Sequence, residues 1–168
     1  LKGNTIYNLP DIKRKLITGS KAINDVFITN DLAYLSCDFG IVAINPEKVE
    51  VYESYLFGPD GGQIKVNGAA TDGTYIYAAT EKGVYKALIT QTNLQDYSNW
   101  ERMNIFPGPE EEFNTIAAIN NSILVNKHHE DADQLDTLFR VTGDTWTVFI
   151  ASPYFKIKKI NATLPNFS

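Results

Sequence analysis

Side chains able to do chemistry gather at a few places in this 168-residue chain. His128, His129, Glu130, Asp131, Asp133 and Asp136 offer imidazole and carboxylate groups in one short stretch. Adjacent residues on a strand point to opposite faces, so the two histidines do not readily share one ion. Asp131-Ala132-Asp133 has the opening spacing of a calcium loop, but the glycine and closing glutamate of an EF-hand are missing. The stretch reads as a solvated hairpin loop, with an adventitious cation site as the alternative, and no metal or cofactor is assigned. Glu110-Glu111-Glu112 would need a cleft and a second group of displaced pKa to act as acid and base. Behind Pro107-Gly108-Pro109 they read as a solvated connection instead.

No nucleophile frame surrounds Gly19-Ser20. The phosphate-loop spacing is absent around Gly58, Gly61 and Gly62. Asn120-Asn121-Ser122 and Asn161-Ala162-Thr163 are glycosylation sequons by letters alone. These residues make up no catalytic set, and the chain is expected not to be an enzyme.

The basic clusters are Lys13-Arg14-Lys15 and Lys156, Lys158 and Lys159. In a chain of net charge −5 they are candidate contacts for an anionic glycan or lipid headgroup. Lysines on an exposed strand also deter unwanted pairing, which is the competing reading. The acidic balance argues against nucleic acid or an anionic membrane as a main partner. Tyr75, Tyr77, Tyr85, Trp100 and Trp146 could stack on sugar rings, but such aromatics more often fill the space between packed sheets. Cys37 is the single cysteine, so no internal disulfide forms, and its place within a strand marks it as a small buried hydrophobe.

The elements that must carry these residues repeat. An Asn opens a strand, an aromatic-rich strand follows, and a turn leads into another, starting at Asn24, Asn67 and Asn114. The spacings are 43 and 47 residues, the length of a four-stranded propeller blade. In the first copy strands are expected over 23–29, 32–38, 40–44 and 49–57. In the second they fall at 66–71, 75–80, 83–87 and 100–105, with a polar insertion at 90–99. The third has strands at 115–119, 122–128, 138–142 and 146–150, with the acidic loop where Gly40 and Gly83 stand in the others. Lys156–Asn161 overlays Thr115–Asn120 as the first strand of a further blade. Asn4–Asn8 reads as the last strand of a preceding one.

The expected fold is all-β, a partial β-propeller of about three blades plus flanking single strands. The blades lie at 21–62, 63–106 and 112–150. Residues 1–20 hold the end of a preceding blade and a connection, and 154–168 hold the start of the next. Three blades are fewer than the four to eight of a closed ring. The chain is therefore expected to be a piece of a longer protein, with apolar margins prone to self-association. No apolar run approaches the roughly 20 residues of a membrane helix.

The runs NLPDIKRK (Asn8–Lys15), YLSCDFGIVAIN (Tyr34–Asn45), YIYAATEKGVYKA (Tyr75–Ala87) and NLQDYSNW (Asn93–Trp100) closely resemble the N-terminal β-propeller of the PorZ-like family of type IX secretion systems in Bacteroidota. The resemblance is clear over residues 1–100 and looser beyond. It implies a non-enzymatic accessory protein built of two propellers and a sorting domain, exported to the outer-membrane-associated cell surface. It further implies action with a PorU-like sortase and with PorV and PorQ in attaching cargo to anionic lipopolysaccharide. The blade pattern also suits a glycan-sensing periplasmic ectodomain of a hybrid two-component regulator.

Overall fold

The structure, a computed structural model, describes residues 9–14, 16–129, 131, 135–151 and 156–161. It is all-β, with three four-stranded antiparallel sheets in which the strand order follows the chain. The first sheet holds β1 (Ile23–Thr29), β2 (Leu32–Cys37), β3 (Gly40–Asn45) and β4 (Glu50–Tyr55). The second holds β5 (Val66–Thr71), β6 (Tyr75–Thr80), β7 (Gly83–Leu88) and β8 (Glu101–Arg102). The third holds β9 (Phe113–Ile119), β10 (Ser122–Lys127), β11 (Thr137–Thr142) and β12 (Thr145–Ala151). A short helix, α1 (Pro10–Arg14), lies in the connection before β1. The expected strand at Asn4–Asn8 lies outside the described residues.

Local chemistry explains the strand ends. The tight turns Asn30-Asp31 and Asn120-Asn121 place both residues at positive φ, which Asn and Asp tolerate. Asp72-Gly73 does the same work in the second blade: Asp72 accepts from the amides of Thr74 and Tyr75. Gly40 and Gly83 both sit at positive φ, and a side chain there would strike the carbonyls of Tyr55 and Pro109. The glycine spaced 43 residues apart thus lets the chain leaving each blade press against the hairpin between its second and third strands.

The outer strand of the second blade is shorter than the expected 100–105. Trp100 leaves the ladder because its indole is needed elsewhere. It stacks on Phe57 with ring centroids 4.0 Å apart, and its Nε1 donates to the Leu94 carbonyl at 2.9 Å. The polar insertion supplies that carbonyl.

Two apolar layers join the blades. Between the first and second lie Tyr34, Ile41, Tyr55, Phe57, Val66, Tyr85 and Trp100. Between the second and third lie Tyr77, Val84, Met103, Phe106, Phe113, Ile116 and Phe139. A third cluster on the far side of the first blade includes Leu35, Cys37, Phe39 and Val42, with Leu9, Ile12 and Ile17 packed over it. Alternation along each strand sends successive side chains to opposite faces, so the second sheet is buried between its two neighbours, while Val26 and Ile28 of β1 and Val148 and Phe149 of β12 stay half or more exposed. Residues 156–161 form no ladder with the described residues and are held by hydrogen bonds described below.

Candidate functional site

The three repeat-opening asparagines share one task. Asn24 Nδ2 donates to the Val66 carbonyl at 2.9 Å, Asn67 Nδ2 to the Phe113 carbonyl at 3.0 Å, and Asn114 Nδ2 to the Ile157 carbonyl at 2.8 Å. Each acceptor for Asn24 and Asn67 is the residue just before the next asparagine. The first and second blades thereby clasp the inner strand of the blade that follows, and the third clasps residues 156–161 through the same bond. Register within the blades repeats too: the amides of Asp38, Glu81 and His128 donate to the carbonyls of Ala22, Lys65 and Glu112.

The third clasp corrects the overlay of Lys156–Asn161. It makes Ile157 the counterpart of Val66 and Phe113, so the step is 44 residues and the match of Asn161 to Asn120 is coincidental. Ile160 N also donates to Thr115 Oγ1 at 3.0 Å.

These inner strands line the axial face of the molecule. A groove of about 440 Å³ runs along β1, β5, β9 and residues 159–161. Its polar mouth, about 210 Å³, is lined by Asn24, Asp25, Lys65, Asn67, Asn114, Thr115, Lys158 and Lys159. Lys159 pairs with Asp25 at 2.8 Å across this mouth, and Lys65 lies 3.9 Å from Glu112. Lys158 is exposed at its rim. Lys65 joins the mouth from a loop position without basic neighbours, and sequence reading missed it for that reason.

The other basic candidates divide. Lys156 donates to the carbonyls of His129 and Asp131, so it ties the acidic loop to the chain that follows. Arg14 is exposed on α1, the Lys13 backbone lies in the same helix, and Lys15 lies outside the described residues.

Asp136 and the three glutamates are more constrained than residues of a solvated loop, whereas Asp131 is exposed and Glu130 and Asp133 lie outside the described residues. Asp136 is buried, at 3% exposure. It accepts from Asn126 Nδ2 at 2.9 Å, Ile157 N at 2.7 Å and His129 N at 3.3 Å, and faces His128 Nδ1 at 3.1 Å. Burial pushes this carboxyl up, but those bonds together with the His128 charge outweigh it and hold the group below the usual range. His129 looks elsewhere, with Nδ1 3.6 Å from Glu111. Among the described residues no three His, Cys, Asp or Glu side chains come together in a metal-holding arrangement. Glu110 pairs with Arg102 at 2.7 Å, Glu111 with Lys127 at 3.0 Å, and Glu112 accepts from Asn67 at 2.9 Å. The three glutamates fasten the connection between the second and third blades.

Tyr77, Tyr85 and Trp100 are buried between blades. Tyr75 packs on Tyr77 and under the Lys86 ammonium, 5.0 Å from its ring centre. Trp146 is half-exposed, with its ring edge on Phe139 and its Nε1 bonded to the Ile105 carbonyl. Cys37 is fully buried, and burial first, then the Asp38 charge, pushes its thiol up to about 11.

With this geometry in view, the comparisons decide the family. The model of the type IX secretion PorZ N-terminal β-propeller domain matches residues 1–101. This chain belongs to that family. Among solved structures it is similar to PorZ of Porphyromonas gingivalis, at 19% identity and a TM-score of 0.69 over 87% of this chain. It spans only 18% of the length of that protein. It is also similar to the extracellular domain of a putative hybrid two-component system from B. thetaiotaomicron, at 12% identity and a TM-score of 0.55, covering 80% of this chain and 16% of the other. The Neurospora crassa Pan2 WD40 domain matches at 9% identity and a TM-score of 0.54, covering 83% and 40%. At such identities the structural likeness speaks for the propeller fold alone. No curated protein sequence matches the chain.

Proposed function

We propose that this chain is part of a non-enzymatic interaction scaffold serving type IX secretion at the bacterial cell surface. The observation that carries this reading is the family match over residues 1–101, which includes the whole first blade and nearly all of the second. The P. gingivalis relative is described as an essential bacterial surface component of that system. The propeller supplies a rigid frame, and its loops and axial mouth supply contact surfaces for secretion-system proteins such as a PorU-like sortase.

Anionic lipopolysaccharide is the proposed second partner. Lys158, at the axial rim, is the best-placed of the sequence candidates. Lys156 and Lys159 contribute positive charge while holding internal partners. Lys13, Arg14 and Lys15 are a separate run in the sequence, of which Arg14 is exposed on α1. Capture of outer-membrane proteins on the immobilised full-length protein is expected to retain secretion-system components. Retention of none would overturn the scaffold reading. Charge reversal of both basic clusters to Glu is expected to weaken binding to anionic lipopolysaccharide at least tenfold, and unchanged binding would remove that partner.

A second reading is a periplasmic sensor ectodomain, since the extracellular domain of a putative hybrid two-component system shares the propeller fold. The full open reading frame separates the two. A second propeller and a sorting domain support secretion, whereas a membrane helix and kinase support sensing.

A further inference from the structure

A groove of about 320 Å³ opens on the second blade and shares no lining residue with the axial mouth. Part of its lining is strand: Tyr75 begins β6, Lys86 and Leu88 lie in β7, and Glu101 lies in β8. The polar insertion brings the rest, including Gln91 and Asn99. Bonds of its own hold this insertion in shape. Asp96 accepts from Ser98 N at 3.0 Å, Asn99 Nδ2 donates to the Asn93 carbonyl at 2.7 Å, and Gln91 Nε2 donates to Asn99 Oδ1 at 2.8 Å. The blade fold does not require these groups. Leu32 and Ala43 stand 43 residues before Tyr75 and Lys86, and the first blade joins its third and fourth strands through residues 46–49 alone.

The chemistry of the lining selects its ligand. Leu88 is 43% exposed and Tyr75 is half-buried, so both offer apolar surface. Glu101 is exposed, and among the described residues no hydrogen-bond donor reaches its carboxylate or the Gln91 Oε1. The cation of the groove, Lys86, is already neutralised by Asp144 at 2.7 Å. An anionic ligand would be repelled by Glu101, and a cationic one would meet the Lys86 ammonium. Uncharged hydroxyl groups suit both, because they donate to Glu101 and Gln91 while the C–H side of a sugar ring covers apolar surface.

We infer that this groove binds an uncharged pyranose residue of a glycan chain, with Glu101 and Gln91 accepting from its hydroxyls and Tyr75 and Leu88 against its ring. The volume lies at the lower end of the range for ligand pockets, about 300–1,000 Å³, so the site takes a short stretch of the chain. The groove is open to solvent rather than enclosed, which lets that chain run on past it. The site is separate from the basic axial mouth, and neither reading depends on the other.

Saturation-transfer NMR of the full-length protein with the methyl pyranosides of glucose, galactose and mannose tests this. At least one glycoside is expected to receive saturation at its ring C–H protons. Glu101→Gln, a change at an exposed position, and Tyr75→Ala are each expected to weaken that binding about tenfold, the effect of losing one charged acceptor or one packed ring. Lys158→Glu, at the axial mouth, is expected to leave it unchanged. Near-ultraviolet circular dichroism checks the fold of each variant, and Glu101→Gln decides the matter if Tyr75→Ala does not fold. Transfer to none of the three glycosides, transfer unaffected by Glu101→Gln, or transfer lost with Lys158→Glu would overturn the inference. Binding of a free hexose but not of its methyl glycoside would overturn it too, since such a site does not read a chain.

Discussion

The junction between the first and second blades and the junction between the third blade and residues 156–161 carry the same asparagine clasp in opposite settings. At the first, Asn24 sits beside a layer of stacked rings: Phe57 on Trp100, and Phe27 on Tyr34 at 4.8 Å. At the second, Asn114 sits beside a buried carboxylate, with Asp136 binding both Asn126 and the Ile157 amide. Asn126 occupies the repeat position of Ala79 and Ser36. An apolar junction gains from area removed from water and does not depend on pH. A polar one depends on every bond being made, since an unpaired buried group costs its desolvation. The repeat thus keeps its clasp constant and varies the filling.

The comparison can be broken most forcefully at the aromatic junction. Trp100→Ala removes the ring that stacks on Phe57 and is expected to cost about 3–5 kcal/mol, read by denaturant unfolding. A loss below about 1 kcal/mol would mean that the ring layer does not join the blades. At the polar junction, Asp136→Ala strands the Asn126 and Ile157 donors and is expected to cost about 1–3 kcal/mol. Its mark is local: hydrogen exchange at Ile157 rises while that at Ala78, in the first junction, stays slow.

Acid should separate the junctions without mutation. The folded pKa of Asp136 is depressed, so its contribution is fully present above the unfolded value near 3.9 and is lost as pH falls through the folded value. Residues 156–161 are expected to lose exchange protection in that acid range before the aromatic layer opens. Simultaneous loss in both places would erase the distinction. Smaller effects follow from exposed or chemically silent groups. Asp25→Asn removes the Lys159 partner and is expected to change stability by no more than about 1 kcal/mol, because that pair is partly solvated. The thiol of Cys37, pushed up to about 11 and buried, is expected to react with a disulfide reagent at pH 7.5 only as fast as the protein unfolds.

Much of the fold was legible because alternation and turn chemistry are local. β1, β5 and β6 begin and end where the period-2 pattern and the Asn-Asp and Asp-Gly turns put them. The outer strand at Trp100 was not, because its indole answers to Phe57, 43 positions away, and not to its own neighbours. Glu110–Glu112 and Asp136 look like solvated acids for the same reason: Lys127, Asn67 and the Ile157 amide become their partners only after folding. The asparagines were visible as repeat markers. Recurrence of one polar residue at the head of each inner strand was the available sign of a shared bond, but the acceptors lie one blade away.

The propeller account rests on the clasps, and side-chain amide exchange measured by NMR tests them most directly. The Asn24, Asn67 and Asn114 carboxamide protons are expected to exchange at least tenfold more slowly than those of Asn121, which stands at an exposed turn. Equal rates at all four would contradict the account.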